Sequence, residues 1–178
     1  MESSDKVEQR KEKVKLWLRD KYNLALVGVL ILAFVVRIYY FNDASGQVLW
    51  WDEAEYMATA KKWAFGIPYD VNEQRPPLFQ LLGAGLLMLG LSENVLKFIL
   101  VLIPSMLVVL CIFLLGKELF NKKIGIIAAL GSVFVWSYLF WSTRFQPDYI
   151  SLTFQLLSLT FFWKMFKENK RKHAIFAG

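Results

Sequence analysis

The constraint that decides most about this chain is the spacing of its charges. Four stretches, 24–41, 95–116, 124–141 and 149–166, are almost purely apolar, and the charged residues collect between them. A bilayer core about 30 Å thick is crossed by roughly 20 apolar residues at 1.5 Å rise per residue. Each stretch is therefore long enough to be a membrane-spanning helix. The first is broken only by Arg37, near one end, where a long side chain is expected to snorkel to the headgroups. The second is free of charge after Lys97, and its Pro104 is expected to kink the helix or mark a close contact. Composition agrees: 56% of the 178 residues are apolar, 16% are aromatic and the mean hydropathy is +0.39. Such a chain is too apolar for an ordinary soluble domain of its length. A disulfide scaffold is excluded because Cys111 is the only cysteine.

A shorter apolar run, 77–91, contains three glycines and a glutamine. Charge decides whether it crosses, because cytoplasmic flanks collect Lys and Arg. Residues 1–23 carry seven basic residues, 117–123 three and 164–172 five. If 77–91 crossed, the last two clusters would lie on the opposite side from the first. If it does not cross, all three are cytoplasmic. The expectation is therefore an all-α integral membrane protein with four transmembrane helices and both termini cytoplasmic. Juxtamembrane helices lie in a long outer loop, 42–94, with seven acids against three bases. The remaining organisation is a basic amphipathic segment over 1–23, spans at 24–41, 95–116, 124–141 and 149–166, and a basic end at 167–178.

The first segment is not a signal peptide, since its apolar run is too long and no small-residue cleavage pattern follows. Lys and Arg alternate with Glu and Asp over 6–21, which reads as a helix lying on the membrane surface. Nothing points to nucleic acid as a partner. There is no internal repeat, glycine-rich phosphate loop or Cys/His metal spacing, and the only histidine is His173.

The residues with chemistry sit in the outer loop. The segment 52–65 reads as a helix with Tyr56, Met57, Ala60, Trp63 and Ala64 on one face and Glu55, Thr59 and Lys62 on the other. Asp52 is expected to cap it, with Glu55 completing a capping box. A carboxylate at a helix N-terminus is held as the anion, the form that a base or metal ligand requires. Asp52 and Glu53 follow Trp50 and Trp51, at headgroup depth. Arg75 precedes the rigid Pro76-Pro77 pair, where its cation could face an anionic headgroup. Arg144 and Asp148 occupy the second outer turn, where a mutual salt bridge and an N-cap are the simple structural expectation. The four spans otherwise bury no charge in their centres, which argues against a transporter or channel.

Together, Asp52-Glu53 with the following Tyr56, the run Arg75-Pro76-Pro77-Leu78, the inner turn Leu115-Gly116-Lys117-Glu118-Leu119-Phe120 and Pro147-Asp148 resemble the GT-C class of polyprenyl-phosphate-sugar glycosyltransferases. The nearest likeness is to the protein O-mannosyltransferase and lipid A aminoarabinose transferase group. It runs from residue 24 onward. The resemblance implies transfer of one sugar, with inversion, from a polyprenyl phosphate (dolichyl or undecaprenyl) to a protein, lipid or glycan acceptor on the outer face. It makes Asp52 the general base or acceptor-orienting group and Arg75 the contact for the leaving phosphate. Asp148, with Arg144 and Glu53, would bind substrate. Hard oxygen ligands at Asp52 and Glu73 would suit Mg or Mn. In the aminoarabinose branch a Glu directly precedes the Lys-Pro pair, whereas here the order is Glu73-Gln74-Arg75-Pro76. Members of the class are longer and have more spans. The chain is thus expected to be the N-terminal part of an enzyme, inactive without the remainder as partner. The alternative is a small helical membrane protein that binds lipid or a partner and catalyses nothing.

Overall fold

The computed structural model of the protein describes Glu8, Glu12, residues 15–72 and residues 74–168. The basic end expected over 167–178 lies almost wholly outside the described residues, as do most of 1–14, Glu73 and His173. The described residues contain helices and no strand. After a short helical stretch at 15–19 come α1 (Lys21–Ala44), α2 (Asp52–Phe65) and α3 (Pro77–Met88). A long helix, α4 (Glu93–Leu119), is followed by α5 (Lys122–Val133), α6 (Trp136–Trp141) and α7 (Asp148–Glu168). Two of these, α1 and α4, are long and apolar enough to cross a membrane.

The helix boundaries follow from local chemistry. Asp20 caps α1, accepting from the Tyr22 N–H at 2.9 Å, and Asn121 caps α5 through the Ile124 N–H at 3.0 Å. Helix α2 ends at Gly66, whose φ of 69° is a conformation that glycine adopts at no steric cost. Helix α3 begins at Pro77, where a missing N–H is harmless. Its 12 residues span about 18 Å, well short of a bilayer core. Within α4 the residues Phe98–Leu102 form a π turn. Pro104 lies just beyond it, cannot donate to a carbonyl of the preceding turn and crowds that carbonyl, so a widened turn relieves the clash.

Two expectations need correction here. The run 124–141 is not one helix but two, α5 and α6, divided at Phe134-Val135. Gly131 has low helix propensity, and the Ser132 hydroxyl bonds back to the Ala129 carbonyl at 2.7 Å, so the helix weakens where it ends. Arg37 does not snorkel. It is fully buried, and its Nε donates to the Ser105 hydroxyl on α4 at 3.1 Å. From about two helical turns inside α1, with α4 packed alongside, the guanidinium meets a neighbouring hydroxyl before it meets a headgroup.

Helix α4 is the axis of the fold, packed against α1, α5 and α7, while α2 and α3 pack on each other beside its first turns. One core joins Leu26, Val29 and Ala33 of α1 to Val109 and Phe113 of α4 and to Ala129 and Val133 of α5. A second joins Tyr56, Met57 and Ala60 of α2, Phe79 and Ala84 of α3, Leu96 and Val108 of α4, Phe145 and Tyr149. The second core lies under the outer-loop residues and holds them in place. The α4–α5 contact depends on two glycines. A Cβ on Gly125 would lie 2.7 Å from the Phe113 carbonyl oxygen, and one on Gly116 would lie 3.0 Å from the Gly125 Cα. Small residues let helix backbones approach where lipid offers no hydrophobic drive for association.

This contact yields a paired prediction. Gly125→Ala should destabilise the protein by about 1–3 kcal/mol, since backbone rather than a flexible side chain must move. Gly131→Ala, with nothing within 4 Å of its new methyl, should be neutral or slightly stabilising. Thermal unfolding in detergent separates the two, and equal midpoints would refute the close α4–α5 packing.

Candidate functional site

The site forms where the chain turns from α1 into α2. Trp51 has a φ of 40°, the one non-glycine residue among those described with positive φ. A bulky residue held there costs about 1–3 kcal/mol and needs support from its surroundings. Glu53 gives that support. Its carboxylate is completely buried and gathers donors from three parts of the chain. Oε1 accepts from the Lys97 ammonium of α4 at 2.6 Å and from the Phe145 N–H at 3.0 Å. Oε2 accepts from the Trp50 N–H at 3.3 Å and faces the Arg144 guanidinium at 3.5 Å. Burial of an ion is costly unless partners fill its hydrogen-bonding positions, and here two cations and two amides do so.

Arg144 continues the network outward. It donates to the Gln47 side chain at 2.8 Å and lies over the rings of Phe140 and Trp50, at 5.1 and 6.0 Å from their centroids. A cleft of about 230 Å³ opens beside it, with Tyr40, Asp43, Gln47 and Trp136 among its walls. The expected salt bridge from Arg144 to Asp148 is replaced by this pairing with Glu53. The physical reason is burial: a carboxylate without water draws the nearby cation more strongly than an exposed one.

Asp52 lies one residue away and is more exposed. Its carboxylate pairs with Arg75, whose Nε also donates to Glu55 at 3.1 Å. Asn72 approaches the same Glu55 oxygen at 3.5 Å. The guanidinium lies over the Tyr56 ring, 5.5 Å from its centroid. Burial pushes the Tyr56 phenol above its usual range, Arg75 opposes that shift, and the charges of Asp52 and Asp148 add to it. Asp148 is thus an exposed carboxylate on the same side of the fold, at the first position of α7. The pairing with Asp52 raises the Arg75 guanidinium further above its ordinary range.

The capping box expected at Asp52 and Glu55 does not form. The N-cap is Trp51, Asp52 is the first helical residue, and Glu55 turns to Arg75. It is Glu53 that reaches back, to the amide of Trp50. Asp52, Glu53, Arg75, Arg144 and Asp148 are brought to one end of the helices, while Glu73 lies outside the described residues. Lys97 is the residue that sequence reasoning passed over, as the flank of a span. The available signal was its position: a lone cation four residues after Glu93 at the head of a long apolar run is an ionisable group that needs a partner. Among the described residues no group of three or more His, Cys, Asp or Glu could hold a metal ion. The acidic groups that are close together are already matched with cations.

The opposite end of α4 has a different charge character. Lys122 pairs with Asp20 and holds its carboxyl below the usual range. Lys117 and Lys164 flank Glu118 at 3.6 and 3.5 Å. Among the described residues, Lys117, Lys122 and Lys164 thus gather at the end of α4 opposite the 42–94 carboxylates.

Comparison with known families gives one match. The profile of the dolichyl-phosphate-mannose-protein mannosyltransferase family matches residues 74–178. The chain belongs to this family. No curated protein and no solved structure matches it. The mannosyltransferase match begins one residue before Arg75 and includes Lys97, Arg144 and Asp148, whereas Asp52 and Glu53 precede it. Family membership and two apolar helices of spanning length make this a membrane protein with a mannosyltransferase-like function.

The Glu53 network makes a stability prediction that separates it from ordinary surface ion pairs. Glu53→Leu should cost about 3–5 kcal/mol, because Lys97 is left as an uncompensated buried charge and Arg144 loses its carboxylate. Lys97→Met added to Glu53→Leu should recover part of that loss, with a coupling of about 1 kcal/mol or more. Unfolding in detergent across this double-mutant cycle checks it. Strict additivity would mean that Glu53 and Lys97 do not interact.

Proposed function

We propose that this chain carries the reaction-side loops of a membrane glycosyltransferase. That enzyme moves a sugar from a polyprenyl-phosphate carrier to an acceptor hydroxyl at the membrane surface. The observation that carries the reading is the Asp52–Arg75 pair. A carboxylate suited to take a proton and a guanidinium suited to hold a phosphate sit together, at the acidic end of the helices, on a frame fixed by Glu53.

In this mechanism Asp52 takes the proton of the acceptor hydroxyl while that oxygen bonds to the anomeric carbon. The bond from that carbon to the phosphate oxygen breaks on the opposite face, which inverts the centre. The electron pair leaves with the polyprenyl phosphate, and Arg75 offsets the charge that develops there. Asp148, exposed beside Tyr56, is placed to meet acceptor or sugar. Arg144 and Glu53 act from behind by fixing the turn that presents Asp52. Acceptor identity, whether protein, lipid or glycan, is left open by these residues.

A divalent cation fits this set poorly. Among the described residues, Asp52 and Glu55 are matched with Arg75, and Glu53 is matched with Lys97 and Arg144, so these carboxylates offer no pair of hard ligands without breaking an ion pair. The proposed steps use no metal. The reading also takes α1, α4, α7 and the broken pair α5–α6 together as the four crossings, with the 42–94 loop and the turn at 142–148 on the outer face.

The test is Asp52→Asn in the intact membrane-embedded protein, assayed for transfer from a polyprenyl-phosphate sugar. Transfer should fall by about 100-fold or more while the helical content and unfolding midpoint stay near wild type. Near-full transfer by the variant would refute Asp52 as the base, and no transfer by the unsubstituted protein would favour a lipid-binding protein without catalysis.

A further inference from the structure

Arg75 and Asp52 are assigned opposite tasks on the donor and the acceptor, yet they are bound to each other. Arg75 divides its fork between two carboxylates, Nε to Glu55 and an Nη to Asp52. Those two acceptors are not held equally. Glu55 has a second donor within reach in Asn72, whereas Arg75 is the one side-chain donor to Asp52 among the described residues. Tyr56 lies beneath the guanidinium, and the Arg75 backbone N–H donates to the Asn72 carbonyl at 3.1 Å just before Pro76 and Pro77, which anchors the main chain that carries it. Arg75 cannot readily leave, so exchange of partners happens at the Asp52 end.

We infer that Asp52 is held by Arg75 in the resting site and is set free when the phosphate of the donor takes its place on that guanidinium. The inference rests on the functional reading above and adds an order of events to it. A carboxylate that accepts from a guanidinium has that oxygen occupied and is held away from an acceptor hydroxyl. A phosphate diester offers oxygens with the spacing of a carboxylate and matches the same guanidinium fork. Its arrival repels Asp52 and occupies its partner in one step. The base is thus released once the donor is present, so a free Asp52 does not face a site that holds only acceptor or water. No atom or electron is transferred in this exchange: one ion pair replaces another.

The consequence runs against the usual effect of removing a site residue. If Asp52 competes with phosphate for Arg75, removing its charge strengthens phosphate binding while it abolishes transfer. The probe is a short-chain polyprenyl phosphate without sugar, titrated by calorimetry into the detergent-solubilised protein. Asp52→Asn should bind it about fivefold tighter or better, and Arg75→Gln about tenfold weaker or worse. In the Arg75→Gln background, Asp52→Asn should give little further gain. Unchanged or weaker binding by Asp52→Asn would overturn the displacement. So would an equal gain in both backgrounds, which would mean general repulsion rather than competition for one cation. Circular dichroism of each variant establishes that a weak binder is folded. The two readings fail separately: Asp52→Asn that still transfers sugar sinks the functional assignment, whereas lost transfer with no gain in phosphate affinity sinks the displacement alone.

Discussion

The buried carboxylate of Glu53 is the interaction on which the rest of the arrangement depends. It accepts from the turn before α2, from Lys97 at the head of α4 and from the turn before α7. Those segments are far apart in sequence, and helix packing alone would bring them near one another without fixing their relative positions. A charge removed from water enforces closer agreement, because each missing donor would cost several kcal/mol. The strained turn at Trp51 is affordable for the same reason, since the adjacent Trp50 amide is held to Glu53.

This frame separates support from chemistry. Glu53, Lys97 and Arg144 lie inside and are matched with each other. Asp52, Arg75 and Asp148 lie on the outer side of the same elements, accessible to a ligand. The boundary passes between two adjacent residues, because successive positions at a helix start point about 100° apart. Asp52 is therefore half-exposed while Glu53 is sealed against Phe145. The small residues below it serve the same geometry, since a Cβ on Gly83 would lie 2.9 Å from the Phe145 ring and 3.3 Å from Ala60. A larger residue at position 83 would push on the ring of Phe145, whose N–H is one of the donors to Glu53.

Much of this was legible in the sequence because it depends on one-dimensional patterns. Apolar run length marked α1 and α4, the two-faced pattern over 52–65 marked α2, and the apolar run from Pro77 marked the start of α3. Among the described residues, Lys117, Lys122 and Lys164 lie at one end of α4 and the Glu53 and Asp52 carboxylates at the other. Pairing was not legible. Arg37 and Lys97 each appeared as a tolerable flank of an apolar run, and whether such a group snorkels or is buried depends on a neighbour hundreds of atoms away in the chain. Ser105 and Glu53 are those neighbours. Asp52 and Glu53 looked like a pair with a shared task, and only the orientation of α2 assigns one to the surface and the other to the core. Residues 74–178 match the family, so Arg75 and Asp148 lie within the matched region and Asp52 outside it, while the roles proposed for all three rest on geometry and on the resemblance of the outer loops.

The central claim is that the loop before α4 and the turn before α7 meet on one side of the membrane, opposite the α4–α5 turn. Side-specific labelling tests it most directly. Single cysteines at Ser92, Asp148 and Asn121, all exposed, are placed in a Cys111→Ser background and treated with a membrane-impermeant maleimide in sealed vesicles of known orientation. The account predicts that positions 92 and 148 react from the same side and position 121 only from the other. Labelling of 92 and 148 from opposite sides would contradict it, because no Glu53 could then join the two segments.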